Sequence, residues 1–76
     1  GSSQEHALKA NMPGTILSLA VTVGQSVSAG QTLVVMESMK MELNLESPRD
    51  GKVAAVHVQA GQLVELGAVL LELEKS

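Results

Sequence analysis

The chain repeats itself, and that repeat limits the fold more than any other feature. A shift of 37 positions, the separation of Gly14 and Gly51, aligns two segments without a gap. Gly14, Val21, Gly24, Gln25, Val27, Gly30, Leu33 and Glu37 fall on Gly51, Val58, Gly61, Gln62, Val64, Gly67, Leu70 and Glu74. Two copies are too few for a solenoid, whose units are stabilised by stacked neighbours. The expectation is one domain with a pseudo-two-fold axis. Glycines at equal spacing in both copies imply equivalent turns, whose backbone geometry glycine adopts at little steric cost.

Each copy reads as strands. From Thr15 to Val23, Leu17, Leu19, Val21 and Val23 share one face, while Ser18, Ala20 and Thr22 take the other. The second copy places Ala54, Val56 and Val58 on the matching face, with Ala55, His57 and Gln59 opposite. Glycine-centred turns follow at Gly24 and Gly61, each leading into a short apolar element that ends at Gly30 or Gly67. A second strand closes each copy, over 32–37 and 69–74, and Met41 to Glu46 alternates again between them. An edge strand is expected over 7–11. Short strands separated by glycine-rich turns indicate an all-β sandwich or barrel, and no window carries a helical period.

At 76 residues the chain is one domain, burying on folding only about 60% of the surface of its unfolded form. Cysteine is absent, and His6 and His57 lie far apart, so neither a disulfide nor a Cys/His zinc site is available. Aromatic residues are absent too, and the core must be built from Val, Leu, Ile, Ala and Met. Lys9, Lys40, Arg49, Lys52 and Lys75 are scattered in a chain of net charge −3, which argues against nucleic-acid binding. No apolar run approaches the roughly 20 residues of a membrane span, and no signal-peptide pattern is present. The opening Gly1-Ser2-Ser3 reads as an expression scar, so residues 1–5 are set apart from a domain over 6–76. A cysteine-free chain fits a reducing cytoplasm or a mitochondrial matrix.

The strands ending near Glu37 and starting near Met41 leave room only for a tight hairpin. Such turns favour Asn-Gly or Gly-containing pairs because their central residues need positive φ. Here the candidates are Ser38, Met39 and Lys40. A chain that places glycine at its other bends omits it at this one, so side-chain identity outweighs turn comfort there. A non-glycine residue at positive φ costs on the order of 1 kcal/mol or more.

Glu37-Ser38-Met39-Lys40-Met41 resembles the acceptor motif of biotinyl domains, usually alanine followed by Met-Lys-Met. The likeness extends to Met12-Pro13-Gly14-Thr15-Ile16, to Val23-Gly24-Gln25-Ser26-Val27 with Ala29-Gly30-Gln31, and to Ser47-Pro48-Arg49-Asp50-Gly51. It covers roughly Met12 to Glu74. The resemblance implies two small antiparallel sheets in a flattened barrel-sandwich, with a modified lysine at a hairpin tip. Ser38 replaces the usual alanine. The gap-free repeat leaves no room for the extra loop, or thumb, that some members carry.

By resemblance, Lys40 takes covalent biotin from a biotin protein ligase, with Met39 and Met41 as flanking recognition residues and Ser38 and Glu37 as weaker parts of the motif. The biotinyl-lysine then swings between biotin carboxylase and carboxyltransferase partners of an acyl-CoA or related carboxylase, and the isolated domain is expected to be a monomer. Lysine suits the role because it presents a primary amine on a long flexible stem. The methionines offer adaptable apolar contact without competing as acylation nucleophiles. No catalytic set is visible, so the reading is a carrier rather than an enzyme. The rivals are a lipoyl carrier, which usually shows Asp-Lys-Ala at the tip, and an unmodified adaptor module of the same shape. His57 reads as a surface histidine and Met36 as core. Glu37 and Glu42 read equally well as solvated charges or as docking groups.

Overall fold

The computed structural model describes residues 6–74. Eight strands run in chain order: β1 (Ala7–Lys9), β2 (Gly14–Leu19), β3 (Ser26–Val27), β4 (Thr32–Ser38), β5 (Met41–Glu46), β6 (Gly51–Val56), β7 (Leu63–Val64) and β8 (Val69–Leu73). They form two four-stranded antiparallel sheets, ordered β1-β8-β6-β3 and β5-β4-β2-β7. The segment set apart at residues 1–5 lies outside the described residues, as do Lys75 and Ser76.

The sequence repeat becomes a repeat in space. Shifting by 37 turns β2, β3 and β4 into β6, β7 and β8, and one sheet order into the other. Even the pairing register repeats: Ile16 opposes Met36 as Val53 opposes Leu73, and Gly14 opposes Val64 as Gly51 opposes Val27. Each copy lends its short strand to the other copy's sheet, so neither half can form its sheet alone. The exchange is sealed by matched hydrogen bonds. Gly24 N donates to Val53 O and Val53 N to Gln25 O, while Gly61 N donates to Ile16 O and Ile16 N to Gln62 O.

Between the sheets lies an aliphatic core, with Ile16, Leu33, Val34, Met36, Val53, Leu70 and Leu71 fully enclosed. Leu33-Val34 and Leu70-Leu71 are consecutive residues, which simple alternation would send to opposite faces. A β-bulge resolves this. Thr32 pairs with Glu46 but Val34 with Leu45, leaving Leu33 as the extra residue, and Leu70 is extra in the same way between Val69 and Leu71.

A second pair of bulges corrects the expected core face. Ile16 opposes Met36 and Ser18 opposes Val35, so Leu17 is skipped; Ala54 is skipped likewise between Val53 and Ala55. The inward row is therefore Ile16, half-buried Leu19 and buried Val21, matched by Val53, half-buried Val56 and buried Val58. Leu17, Val23 and Ala54, expected on this row, are exposed. Strand β2 also stops at Leu19 rather than Val23, and β1 at Lys9 rather than Asn11. Met36 is core, as expected. His57 sits at the surface, its Nε2 3.0 Å from Glu72 Oε2.

The glycines divide into two kinds. Gly24, Gly30, Gly61 and Gly67 occupy the left-handed region at φ 85–90°, as the turns require. Gly14 and Gly51 do not; they lie within strands. At Gly14 the reason is space, because a Cβ there would collide with the carbonyl oxygen of Glu37 and come within 2.7 Å of Met36 Cε.

The repeated glutamines have a local role that the sequence alone did not assign. Gln25 Oε1 accepts from Thr22 N and Gln62 Oε1 from Gln59 N, both at 3.2 Å. Each side chain closes its own turn, satisfying a backbone donor that the bend would otherwise leave to solvent.

Candidate functional site: the Met39-Lys40 hairpin

Strands β4 and β5 stay in register to the last pair, Ser38 opposite Met41, leaving a two-residue loop of Met39 and Lys40. Both loop residues have positive φ, 53° for Met39 and 65° for Lys40. That is the type I′ geometry whose twist matches a two-residue hairpin and which normally takes Asn-Gly. They are the only non-glycine positive-φ residues among those described. Strain is thus concentrated at the one turn where side chains replace glycine.

The tip projects three side chains. Met39 is 86% exposed, Met41 60%, and Lys40 is likewise open to solvent. Beneath them the base of the hairpin is anchored. Ser38 is only 5% exposed, and its Oγ donates to the carbonyl of Pro13 at 2.6 Å. The hydroxyl therefore ties the base of the hairpin to the Met12-Pro13 segment, which is more than the tolerance expected of a small polar residue standing for alanine. Ser38→Ala is expected to lower stability by about 0.5–1.5 kcal/mol, the net worth of one hydrogen bond. Urea unfolding of the two proteins measures this, and equal midpoints would show that the bond contributes nothing.

Beside the tip lies an open depression of about 370 Å³, walled by Met12, Pro13, Gly14 and Thr15 on one side and by Glu37, Ser38, Met39 and Lys40 on the other. One edge of it is acidic. Glu37 and Glu42 stand directly opposite each other on the exposed face, with their Cβ atoms about 4.5–5.5 Å apart by the geometry of such a pair. Neither forms an ion pair among the described residues. Like charges so placed destabilise a sheet. Glu74, the repeat counterpart of Glu37, is also exposed, but its backbone carbonyl is held by the Arg49 guanidinium.

All five residues expected at the site, Glu37, Ser38, Met39, Lys40 and Met41, are gathered on this one hairpin. The residues that sequence reasoning missed are its supports. Pro13 supplies the carbonyl that holds Ser38, and Gly14 leaves room for the Glu37 carbonyl. Their signal was the Met12-Pro13-Gly14 segment itself, whose closeness to the hairpin only the fold reveals. Among the described residues no group of His, Asp and Glu is placed to hold a metal ion, and no helix is long and apolar enough to cross a membrane. A covalent group on the Lys40 amine meets no steric obstacle at an open tip, and the chemistry of a primary amine suits acylation.

Comparison with known proteins agrees with this geometry. The family model described as "Biotin-requiring enzyme" matches residues 6–73. The biotin carboxyl carrier protein of Streptococcus mutans is 42% identical over 72 residues, covering 95% of this chain and 55% of that protein. A solved single-chain, multi-domain long-chain acyl-CoA carboxylase superposes with a TM-score of 0.82 at 35% identity, over 93% of this chain but 8% of the other. The lipoyl domain of the 2-oxoglutarate dehydrogenase complex of Azotobacter vinelandii reaches a TM-score of 0.75 at 21% identity, covering 91% of this chain and 98% of that one, which shows the fold alone. The chain thus spans about half of the carrier protein and a small part of the acyl-CoA carboxylase. With the family model matched over nearly all of its length, the chain belongs to the biotin-requiring enzyme family, as a biotin carrier domain.

Proposed function

We propose that Lys40 is the residue that carries biotin, and that the domain presents the biotinyl-lysine to the active sites of a biotin-dependent carboxylase. One observation carries this reading: the only strained non-glycine turn among the described residues holds a lysine between two exposed methionines. The Lys40 Nζ lone pair attacks the acyl carbon of biotinyl-adenylate on a biotin protein ligase. An amide bond forms, AMP leaves with the electrons of the broken acyl–phosphate bond, and the nitrogen releases its extra proton to solvent. Met39 and Met41 give the ligase apolar contact, and Ser38 and Glu37 shape the base of the motif.

Biotin, once bound, supplies the chemistry of carrying activated CO2. This chain supplies position. The sheet fixes the lysine's root, and the exposed tip leaves the arm free to move between biotin carboxylase and carboxyltransferase partners. Supporting a carboxylase setting are the names of the relatives, one a biotin carboxyl carrier protein and one an acyl-CoA carboxylase. Met-Lys-Met favours biotin over lipoate, for which the fold alone does not discriminate. We further read the domain as a monomer working in the cytoplasm, or in the mitochondrial matrix of a eukaryote, in keeping with its lack of cysteine. The test is incubation with biotin, ATP and a biotin protein ligase, and separately with lipoate, ATP and a lipoyl ligase. The expected result is retention on streptavidin after the first reaction and no mass gain after the second. Lipoylation without biotinylation would reverse the assignment.

A further inference from the structure

The internal repeat supplies its own control for what the fold requires of each surface position. In the first copy the turn after β2 reads Ser26-Val27-Ser28-Ala29-Gly30, and its counterpart reads Leu63-Val64-Glu65-Leu66-Gly67. The two segments are built alike. Val27 and Val64 are both buried, and Gly30 and Gly67 share the same left-handed geometry at φ 85° and 86°. They differ in their outward side chains and in two local caps of the first copy, where Ser28 N donates to Gln31 Oε1 and Ala29 N to Asp50 Oδ1. Serine and alanine satisfy the fold at 26 and 29, yet the second copy carries leucines there, 76% exposed at Leu63 and 70% at Leu66. Folding does not explain those leucines, because the same fold is built without them half a molecule away.

Their location is informative. Strand β3 in the first copy pairs with β6, Ser26 opposite Lys52, away from the hairpin. Strand β7 pairs with β2, Leu63 opposite Thr15. Thr15 in turn opposes Glu37, and Glu37 opposes Glu42. Directly paired residues project from the same side of a sheet, so Leu63, Thr15, Glu37 and Glu42 form one row across the outer face, at the base of the Lys40 hairpin. Leu66 lies three residues further along the same edge, in the turn whose Gly67 N donates to Ala10 O. Leu63 therefore shares the outer face with the Glu37–Glu42 pair at the base of the acceptor hairpin, carboxylates that have no ion-pair partners among the described residues.

We infer that Leu63 and Leu66 are a docking element for the enzyme that acylates Lys40, engaged by an apolar pocket that basic side chains border. The inference rests on the reading of Lys40 as the biotin acceptor. An enzyme that closes on the hairpin tip and extends over this row buries the two leucines, adding apolar contact area two strands across from the base of the hairpin. The acidic border favours a basic counterpart and steers its approach.

The repeat also dictates the test. Leu63→Ser and Leu66→Ala install the residues that the first copy already carries at equivalent sites, so the double variant is expected to fold. Val23→Ala, at an exposed apolar position whose counterpart is Ala60, serves as the control. Steady-state biotinylation of the 76-residue chain by a biotin protein ligase is measured with each protein as the varied substrate. For Leu63→Ser/Leu66→Ala the KM is expected to rise fivefold or more with kcat within twofold, and Val23→Ala to match the wild type. A double variant with kcat/KM within twofold of the wild type would overturn the inference while leaving the Lys40 reading intact. A wild type that sediments as a dimer which the double variant dissolves would reassign the leucines to self-association. A wild type that gains no biotin would remove both readings together.

Discussion

Gly14→Ala is expected to destabilise the domain by about 2–3 kcal/mol, at the upper end of the usual cost of overpacking, whereas Gly51→Ala stays within about 1 kcal/mol of wild type. The two glycines are equivalent by repeat and both lie within strands, but their surroundings differ. A Cβ on Gly14 meets the Glu37 carbonyl, which belongs to the β4 backbone and cannot yield without breaking register, and the Cε of fully buried Met36. A Cβ on Gly51 meets Leu73 Cδ1 at an ordinary 3.7 Å and the Arg49 guanidinium at 2.7 Å, a side-chain end that can shift by loosening its hydrogen bonds to the Asp50 and Glu74 carbonyls. Neither position has positive φ, so alanine also restricts the unfolded chain, an offsetting gain of about 0.4–1 kcal/mol. For a domain of this size each kcal/mol moves the Tm by roughly 4–8 °C. Thermal and urea unfolding of the pair separate the cases; equal losses would mean that the close approach at Gly14 is not the constraint described.

The second large effect is a trade of stability against function at the hairpin tip. Met39→Asn/Lys40→Gly installs the pair that a type I′ turn prefers and removes two non-glycine residues from the left-handed region. Each such residue costs on the order of 1–2 kcal/mol, and asparagine tolerates that region better than methionine. The double variant is expected to gain about 1–2 kcal/mol in stability and to lose all ligase-dependent labelling. A variant no more stable than wild type would show that the turn is not strained. The strain is kept, on this account, because an acceptor must be a lysine at the exposed tip of the hairpin.

Much of this was legible in the chain. The repeat of Gly14 to Glu37 in Gly51 to Glu74 gave the pseudo-two-fold, and alternation gave β4, β5 and β8 to within a residue. The lack of room between Glu37 and Met41 gave the tight turn and its positive φ values. Alternation failed at Leu17 and Ala54 because each is the extra residue of a bulge, so the parity that holds from Leu19 and Val56 onward does not carry back through it to the buried Ile16 and Val53. Nothing in the local sequence marks those bulges; only the pairing of β2 with β4 and of β6 with β8 reveals them. In the sequence Gly14 and Gly51 look like turn glycines, because spacing alone does not separate a backbone bend from a close approach. Ser38 presented a third gap. Its partner, the Pro13 carbonyl, is 25 positions away in sequence, and only the folded chain brings them together.

The central claim is that Lys40 alone is the acceptor, and the intact mass of the chain after incubation with biotin, ATP and a biotin protein ligase tests it most directly. The wild type is expected to gain the mass of a single biotinyl group. Lys40→Arg, which keeps the charge but removes the amine nucleophile, is expected to gain none, although Lys9, Lys52 and Lys75 remain. A wild type left unmodified, or a Lys40→Arg variant that still takes up biotin, would contradict the account.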